Sequence, residues 1–398
     1  MPDVHLALCS PSGTMSVSVH GFVSLAGDAK VVGGRSMRIG VPREIKNGEH
    51  RVAMTPEGVA CLVGDGHVVL VERHAGRDVG YDDDQYREAG AYVVPDAKEV
   101  WQAELVVKVK EPLPPEFDLL KRDQILFTYL HLAAMPEVAE QLVSRGVCAI
   151  GYETVQTDDG RLPLLAPMSR VAGRVAMQLA AHYLQLENDV SVPGRGILFG
   201  GLPEIDRARV AVLGAGNAGE QAVRVAAAMG ADVRVLDQEP TRLAALESSC
   251  GVRGFVARET DLTAFVEGCD VLIGAILVPG GRTPRLIGRK HLRRMNSRSV
   301  FVDIAIDQGG VSETSHPTSY DEPVYVEESV IHCALPNLPA CVARSSTQAL
   351  TRATLPYLRL LAGGLESALD ASPELARGVN VRNGRIVHER VRQALEMQ

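Results

Sequence analysis

The sequence has none of the features that mark membrane-spanning, disulfide-bonded or nucleic-acid-binding proteins. No apolar run approaches the roughly 20 residues that are needed to span a bilayer. The seven cysteines are scattered without a C-x-x-C pair, which is typical of reduced thiols in a cytosolic protein. The net charge is −8 and no basic block stands out, which argues against a nucleic-acid surface.

Compact groups of metal ligands are missing as well. The 11 histidines form no H-E-x-x-H pair or similar zinc-binding spacing, so we expect no catalytic metal. The composition is that of an ordinary globular protein, with 46% hydrophobic and 23% charged residues. A length of 398 residues predicts two or three domains.

The first 36 residues differ from the rest of the chain. They are rich in Gly, Ser and Val, show no periodic pattern, and lack the basic start and long apolar core of a signal peptide. We expect residues 1–36 to be a tail without a function, either disordered or added by an upstream start codon. A strand pattern begins abruptly at Met37 with Arg38–Val41.

The most informative motif is a glycine-rich turn between two apolar runs. Val210–Leu213 leads into Gly214–Gly219, which reads GAGNAG, and a helix-like segment then continues to Met229. A second apolar run, Val233–Leu236, is followed directly by Asp237. This order of strand, turn, helix, strand and acid is the dinucleotide-binding pattern. The alternative is a glycine-rich turn in some other α/β protein.

Each part of the motif has a physical role in holding a dinucleotide. Gly214 permits the tight turn, Gly216 lets the backbone approach the pyrophosphate, and Gly219 allows close packing of helix on sheet. The helix N-terminus offers free N–H groups and a positive dipole end. Asp237 would accept hydrogen bonds from the adenosine ribose and repel a 2′-phosphate, which predicts NAD over NADP.

Short apolar runs alternate with helix-like segments along most of the chain, which indicates an α/β fold with mostly parallel sheets. The remaining strand predictions are 38–41, 67–71, 105–108, 125–129, 148–152, 271–275, 299–304 and 330–334. We therefore predict two Rossmann-like domains with a cleft between them.

Two long helix patterns, 169–186 and 346–361, join these domains, and the second is expected to end the regular part of the chain. They predict a discontinuous substrate domain of residues 37–166 and 345–398 around an NAD-binding domain of residues 167–344. Ligands of such sheets bind at the carboxyl ends of the strands, so the cleft is the expected site.

Polar residues that follow strands or turns are the candidates for chemistry. They are Arg51, Lys108 and Lys110, His131, and Asp307. Taken singly, each is more often a surface charge, a structural histidine or a turn former. In a dinucleotide enzyme that oxidises a small carboxylate, a cation can grip the carboxylate and a histidine can move a proton.

From Met37 to about Leu361 the chain resembles the alanine dehydrogenase family, whose fold is related to the soluble part of proton-translocating transhydrogenases. The resemblance is carried by blocks of sequence in the same order, namely MRIGVPREIKNGEHRVAMTP (37–56), LVVKVKEP (105–112), ILFTYLHLA (125–133), YETVQTDDGRLPLLAPMS (152–169), the glycine-rich turn, GAILVPG (274–280) and VDIAIDQGG (302–310). It implies reversible NAD-dependent oxidative deamination of L-alanine to pyruvate and ammonium by a homohexamer or a smaller homo-oligomer, and the cysteine pattern predicts a cytoplasmic location.

The resemblance also implies roles for individual residues. Arg51 and Lys110 would hold the carboxylate and carbonyl oxygen of the substrate, His131 would be the acid/base, and Asp307 would complete the site. Beside the three motif glycines, it implies cofactor contacts from Ser169, Asn217, Ala218, Asp237, Arg242, Ile276, Leu277, Ile304, Ala305, Ile306, Asp307, Leu335, Pro336, Asn337 and Leu338.

The chain departs from the family pattern at a few positions. Arg170 replaces a glutamate, His316 stands where the family has a cofactor-contacting arginine, and the A-N-M-P turn reads Pro336–Pro339. A serine that follows the second nucleotide-binding strand in the family has no equivalent near Arg258. Two alternatives stay open: a dehydrogenase of another small amino acid, and a non-catalytic, transhydrogenase-like NAD-binding subunit.

Overall fold

A computed structural model describes residues 36–190, 192–278 and 283–396 of the protein. The predicted tail, apart from Ser36, lies outside the described residues. The predicted α/β class with two mostly parallel sheets is confirmed, and both sheets lie within one compact unit.

The first sheet has eight strands. They are β1 (Arg38–Val41), β2 (Val68–Glu72), β3 (Tyr92–Val94), β4 (Leu105–Val107), β5 (Ile125–Thr128), β6 (Cys148–Gly151), β14 (Val379–Arg382) and β15 (Arg385–Ile386). Their spatial order is β15-β14-β6-β5-β4-β1-β2-β3, and strands β1 to β6 are parallel. β14 runs antiparallel to both β6 and β15.

The second sheet has seven strands. They are β7 (Arg209–Leu213), β8 (Asp232–Asp237), β9 (Arg253–Val256), β10 (Val271–Gly274), β11 (Val300–Asp303), β12 (Tyr325–Glu327) and β13 (Val330–Cys333). The order is β12-β13-β11-β10-β7-β8-β9, with only the edge strand β12 antiparallel. The order reverses between β1 and β4 in the first sheet and between β7 and β10 in the second, so each sheet has the crevice in which doubly wound folds bind ligands.

Helices cover the faces of both sheets. They are α1 (Pro56–Gly64), α2 (Asp83–Glu88), α3 (Ala97–Val100), α4 (Pro114–Phe117), α5 (Pro136–Arg145), α6 (Ala166–Tyr183), α7 (Asn217–Ala228), α8 (Pro240–Cys250), α9 (Leu262–Val266), α10 (Arg289–Leu292), α11 (Ala343–Ala362), α12 (Leu365–Ala371), α13 (Pro373–Arg377) and α14 (Glu389–Glu396). Within the described ranges, none of these helices has the length and apolar character needed to cross a membrane.

The long helix α6 is shared between the cores of the two sheets. Met168 in its first turn packs with the first core, while Ala172 and the buried residues that follow pack with the second. The helix then lies directly on the start of α7, where a methyl group on Gly173 would come within 2.0 Å of the Ala218 carbonyl oxygen. The sequence predicts this helix at 169–186, and in the structure both its first and its last residue lie three positions earlier.

One prediction about the fold is wrong. The second long helix, α11, does not end the regular structure, because α12, α13, β14, β15 and α14 continue it to Glu396. The strand β14 has the sequence VNVR and is only four residues long, so no apolar run marks it. Its strand conformation depends on pairing with β6, which is more than 200 residues away in the sequence.

Candidate active site

A cavity of about 1970 Å³ is lined by segments that follow strands of both sheets and by the C-terminal part of the chain. Arg51, Lys110, His131 and Asp307, which the sequence singled out separately, all line it. Each follows the carboxyl end of a parallel strand, namely β1, β4, β5 and β11. The topology therefore brings four residues together that are as much as 256 positions apart, from Arg51 to Asp307.

Arg51 is buried and held in one orientation by its neighbours. Its Nε and one terminal nitrogen donate to the two carboxylate oxygens of Glu49 at 2.7 and 2.6 Å. The same terminal nitrogen donates to Asn337 Oδ1 at 2.8 Å, and the other contacts the Met168 sulfur at 3.1 Å. Of the five N–H donors of a guanidinium, these contacts leave one for a ligand.

The Glu49 carboxylate is the counter-charge of this arginine. Burial raises its pKa, but the hydrogen bonds from Arg51 and Asn337 and the charge of Arg51 outweigh burial and lower the pKa to about 2. Glu49 therefore stays ionised at neutral pH, and the pair is rigid in the way that bidentate arginine–carboxylate contacts are.

The two lysines after β4 have opposite surroundings. Lys108 is fully buried and its Nζ lies 2.7 Å from Glu116 and 3.3 Å from Glu44, so it is part of an internal charge cluster. Lys110 lines the cavity, and no hydrogen bond joins its ammonium to any of the described residues. Burial, followed by the charge of Arg51, lowers the pKa of Lys110.

His131 lies in the turn after β5, with its ring stacked on Tyr129 at a centroid distance of 5.9 Å. Neither ring nitrogen is hydrogen bonded to another residue in the described part of the chain, so both are available to a ligand. Burial lowers the pKa of His131, and the opposing charge of Glu153 does not reverse this.

Asp307 lies in a 3₁₀ turn, Ile304–Gln308, that follows β11. The buried carboxylate of Asp303 accepts hydrogen bonds from the backbone N–H groups of Ala305 at 3.1 Å and Val311 at 2.8 Å, which fixes the loop. Asp307 itself is exposed to the cavity and accepts a long bond of 3.4 Å from the backbone N–H of Asn337.

The glycine-rich turn has the shape that a pyrophosphate requires. At Gly214, φ is +97° and a methyl group would lie 2.7 Å from the Ala275 carbonyl oxygen; at Gly219 it would lie 1.7 Å from that of Gly214. At Gly216 a methyl group would meet no protein atom within 4 Å, so open space lies in front of the turn. The two tight positions and the open one fit the roles expected for a dinucleotide-binding turn.

Asp237 ends β8 beside this turn and has a role that the motif alone does not reveal. One carboxylate oxygen accepts a 2.6 Å hydrogen bond from the backbone N–H of Ala215, and the other accepts one from Glu239 at 2.9 Å. Arg242 lies 3.8 Å from the second oxygen and is more than half exposed. Asp237 thus braces the turn and keeps acceptor capacity for a ribose hydroxyl.

Most of the other predicted cofactor contacts also lie on the cavity wall. They are Ser169, Ala218, Ile276, Leu277, Ile304, Ala305, Leu335, Asn337 and Leu338. Ile306 is buried, and Pro336 is not among the described residues that line the cavity. At the departures from the family pattern, Arg170 is exposed and His316 stacks on the ring of Tyr325 at 3.7 Å.

Several lining residues were not predicted. Glu153 accepts hydrogen bonds from the backbone of Leu130 and His131, and Met168 contacts Arg51. The C-terminal segment adds His388 and Glu389, among others. A carboxylate that binds backbone N–H groups leaves no pattern in sequence, so nothing in the YETVQ block marks Glu153.

Both halves of the chain match domains of one protein family. Residues 40–172 match the domain described as alanine dehydrogenase/PNT, N-terminal domain. Residues 176–389 match the alanine dehydrogenase/PNT, C-terminal domain.

Individual relatives agree with these domain matches. Alanine dehydrogenase 2 of Staphylococcus aureus strain USA300 is 43% identical over 366 residues, which cover 91% of this chain and 97% of the relative. A solved structure of L-alanine dehydrogenase is 45% identical, has a TM-score of 0.86, and covers 91% of this chain and 99% of its own. A transhydrogenase from Sinorhizobium meliloti shares the fold with a TM-score of 0.74. It is 23% identical, and the match covers 88% of this chain and 99% of the transhydrogenase chain.

Proposed function

The chain belongs to the alanine dehydrogenase/PNT family, and we propose that it catalyses the reversible oxidative deamination of L-alanine. L-Alanine, NAD⁺ and water give pyruvate, ammonium, NADH and a proton. The observation that carries the proposal is that Arg51, Lys110, His131 and Asp307 line a single cavity, which the turn residue Ala218 also lines.

NAD is the cofactor, and it supplies the hydride acceptor of the reaction when bound. The turn from Gly214 to Gly219 and the N-terminus of α7 would hold its pyrophosphate, and Asp237 its adenosine ribose. Side chains of the loops after β10, β11 and β13 would surround the remainder. These residues fit the group because the open space at Gly216 is where a phosphate requires close approach of the backbone.

Arg51 and Lys110 bind the carboxylate of the substrate. Arg51 is fixed by Glu49 and Asn337, so it loses little conformational freedom when it binds. The charge of this arginine is already balanced by Glu49, and Lys110 therefore supplies the uncompensated positive charge. Fixing the carboxylate at two points orients the Cα–H bond, which is the geometric contribution to the rate.

His131 moves the proton. It accepts a proton from the water that adds to the iminium carbon of the substrate and returns one as ammonia departs. A lowered pKa keeps the imidazole neutral at physiological pH, which is the form that a general base requires. Asp307 orients the water or ammonia and stabilises the cationic carbon–nitrogen centre.

The assembly is a homohexamer in the cytoplasm. The scattered cysteines support a reducing compartment, and all six that lie in the described part of the chain are free. Sedimentation velocity of the purified protein tests the hexamer.

The decisive experiment is the rate of NADH formation with purified protein across about twenty amino acids. We expect L-alanine to give the highest kcat/KM, and pyruvate with ammonium to be reduced in the reverse direction. A higher value for another small amino acid would reassign the substrate. Binding of NADH without turnover of any amino acid would favour a transhydrogenase-like subunit, and a His131→Asn protein supplies the background rate.

A further inference from the structure

His131 has a backbone conformation that is unusual for a residue with a side chain. Its φ of +50° and ψ of +31° lie in the left-handed region that favours glycine. Conformations of this kind persist only where neighbouring groups hold them, and they concentrate at functional sites. The turn after β5 therefore needs a group that stabilises it.

The carboxylate of Glu153 is in place to do this. One of its oxygens accepts a 2.7 Å hydrogen bond from the backbone N–H of His131, and the preceding N–H of Leu130 lies 3.1 and 3.2 Å from the two oxygens. Glu153 is in the short turn that follows β6, and β5 and β6 are paired up to their last residues, which sets the two turns side by side.

We propose that Glu153 is the positioning residue of His131: its carboxylate holds the turn in the left-handed conformation that presents the imidazole to the cavity, and it places a fixed negative charge beside the ring. The inference rests on the proposed function, since His131 is the acid/base of that reaction. Glu153 acts through the backbone conformation of His131 and the charge state of its ring.

The charge of Glu153 bears directly on proton transfer. Burial lowers the pKa of His131, Glu153 raises it, and Lys110 lowers it again. The other titratable or charged groups around the ring are Glu111 after β4, Tyr129 beside it on the chain, Asp307 after β11, and His388, Glu389 and Arg390 at the start of α14, which packs against the turn. Glu153 leads the groups that favour the imidazolium.

Glu153→Gln separates charge from shape, because the amide oxygen can still accept the His131 N–H. We expect the pKa of His131 to fall by about one unit or more, measured by NMR titration of ¹³C-labelled histidine in the protein without ligands. The His131→Asn protein identifies the signal. The acidic limb of the pH profile of kcat/KM should move to lower pH by the same amount. Glu153→Asp keeps the charge, so its His131 pKa should lie close to that of the wild type.

Glu153→Ala removes both the acceptor and the charge. We expect kcat to fall about 10-fold or more at every pH, with the affinity for NADH unchanged, since the glycine-rich turn is untouched. The matched control is Glu137→Gln, which removes an exposed carboxylate in the first turn of α5 that does not line the cavity, and it should leave the His131 titration and kcat as in the wild type.

An unchanged imidazole pKa in Glu153→Gln, or wild-type kcat in Glu153→Ala, would overturn the proposal. A shift of equal size in Glu137→Gln would overturn it too, because the effect would then not depend on the hydrogen bonds that Glu153 accepts from the turn. If the wild-type protein binds NADH but oxidises no amino acid, the proposed function fails while the NMR titration still decides the role of Glu153.

Discussion

The side-chain amide of Asn337 donates a 2.9 Å hydrogen bond to the carboxylate of Glu49, which lies 288 positions earlier in the chain. Asn337 follows β13 of the second sheet, and Glu49 lies in the loop after β1 of the first. The bond therefore joins the two walls of the cavity at the residue that orients Arg51. With Arg51 in the substrate-binding role proposed above, substrate binding and stability would depend on the same cluster of Glu49, Arg51 and Asn337.

Replacing Arg51 is expected to affect both properties. Arg51→Met removes a grip on the substrate carboxylate, so the KM for L-alanine should rise about 10- to 100-fold. It also leaves the buried Glu49 without its partner, which should cost about 3–5 kcal/mol of unfolding free energy. Steady-state kinetics and urea unfolding measure the two effects.

The double variant Glu49→Gln/Arg51→Met distinguishes them. Neither Glu49 nor Arg51 is then a buried unpaired charge. Most of the unfolding free energy that the single variant loses should therefore be recovered, while the KM for L-alanine stays high. A wild-type KM in the single variant would remove Arg51 from the substrate site.

Replacing His131 by asparagine tests the proton-transfer role without disturbing the backbone. Asparagine tolerates the left-handed conformation better than alanine does, so His131→Asn should fold normally. We expect kcat to fall about 10²–10⁴-fold while NADH binding, followed by fluorescence, is retained. If this variant turns over at the normal rate, the histidine is structural and the mechanism is wrong.

Cofactor choice should depend on Asp237. The protein should prefer NAD to NADP by at least about 10-fold in kcat/KM, or about 1.4 kcal/mol. Asp237→Asn keeps an oxygen for the backbone N–H of Ala215 but removes the charge, so the preference should narrow. Asp232→Asn, at the other end of β8, is the control and should leave the ratio unchanged. Equal kcat/KM values of the wild type with NAD and NADP would refute the role proposed for Asp237.

Binding of the substrate carboxylate by Lys110 should weaken at alkaline pH. Its pKa is lowered from the ordinary lysine value of 10.5, and a lysine loses its charge as the pH rises through its pKa. The KM for pyruvate, whose carboxylate stays ionised throughout, should therefore rise with an apparent pKa below 10.5 when ammonia is saturating. Lys110→Arg keeps the charge and should abolish the rise; a rise that persists in this variant belongs to another group.

Features encoded in a few consecutive residues could be predicted from the sequence. The turn from Gly214 to Gly219 and the strand that ends at Asp237 are found where the pattern placed them, because each depends on local backbone geometry. The helix α1 begins where local signals in the sequence favour a start, since Thr55 caps it and Pro56 occupies its first position.

Features that depend on distant partners could not be predicted. The sequence predicts a cofactor contact for Asn337 but does not reveal the hydrogen bonds that its side chain makes with Glu49 and Arg51. The second role of Asp237, as an acceptor for Ala215, needs the turn to be folded before it exists. Glu153 and β14 likewise take their roles from chain segments 22 or more positions away.

The helix α6 also has a consequence for denaturation. Its first turn contributes Met168 to one core and its later turns contribute Ala172, Ala176 and Ala180 to the other. Neither half can melt alone without exposing an apolar surface on which the other depends, because most of the stability of a helix in a protein comes from its packing against neighbours. Heating should therefore unfold the chain in a single cooperative transition, in spite of its two sheets.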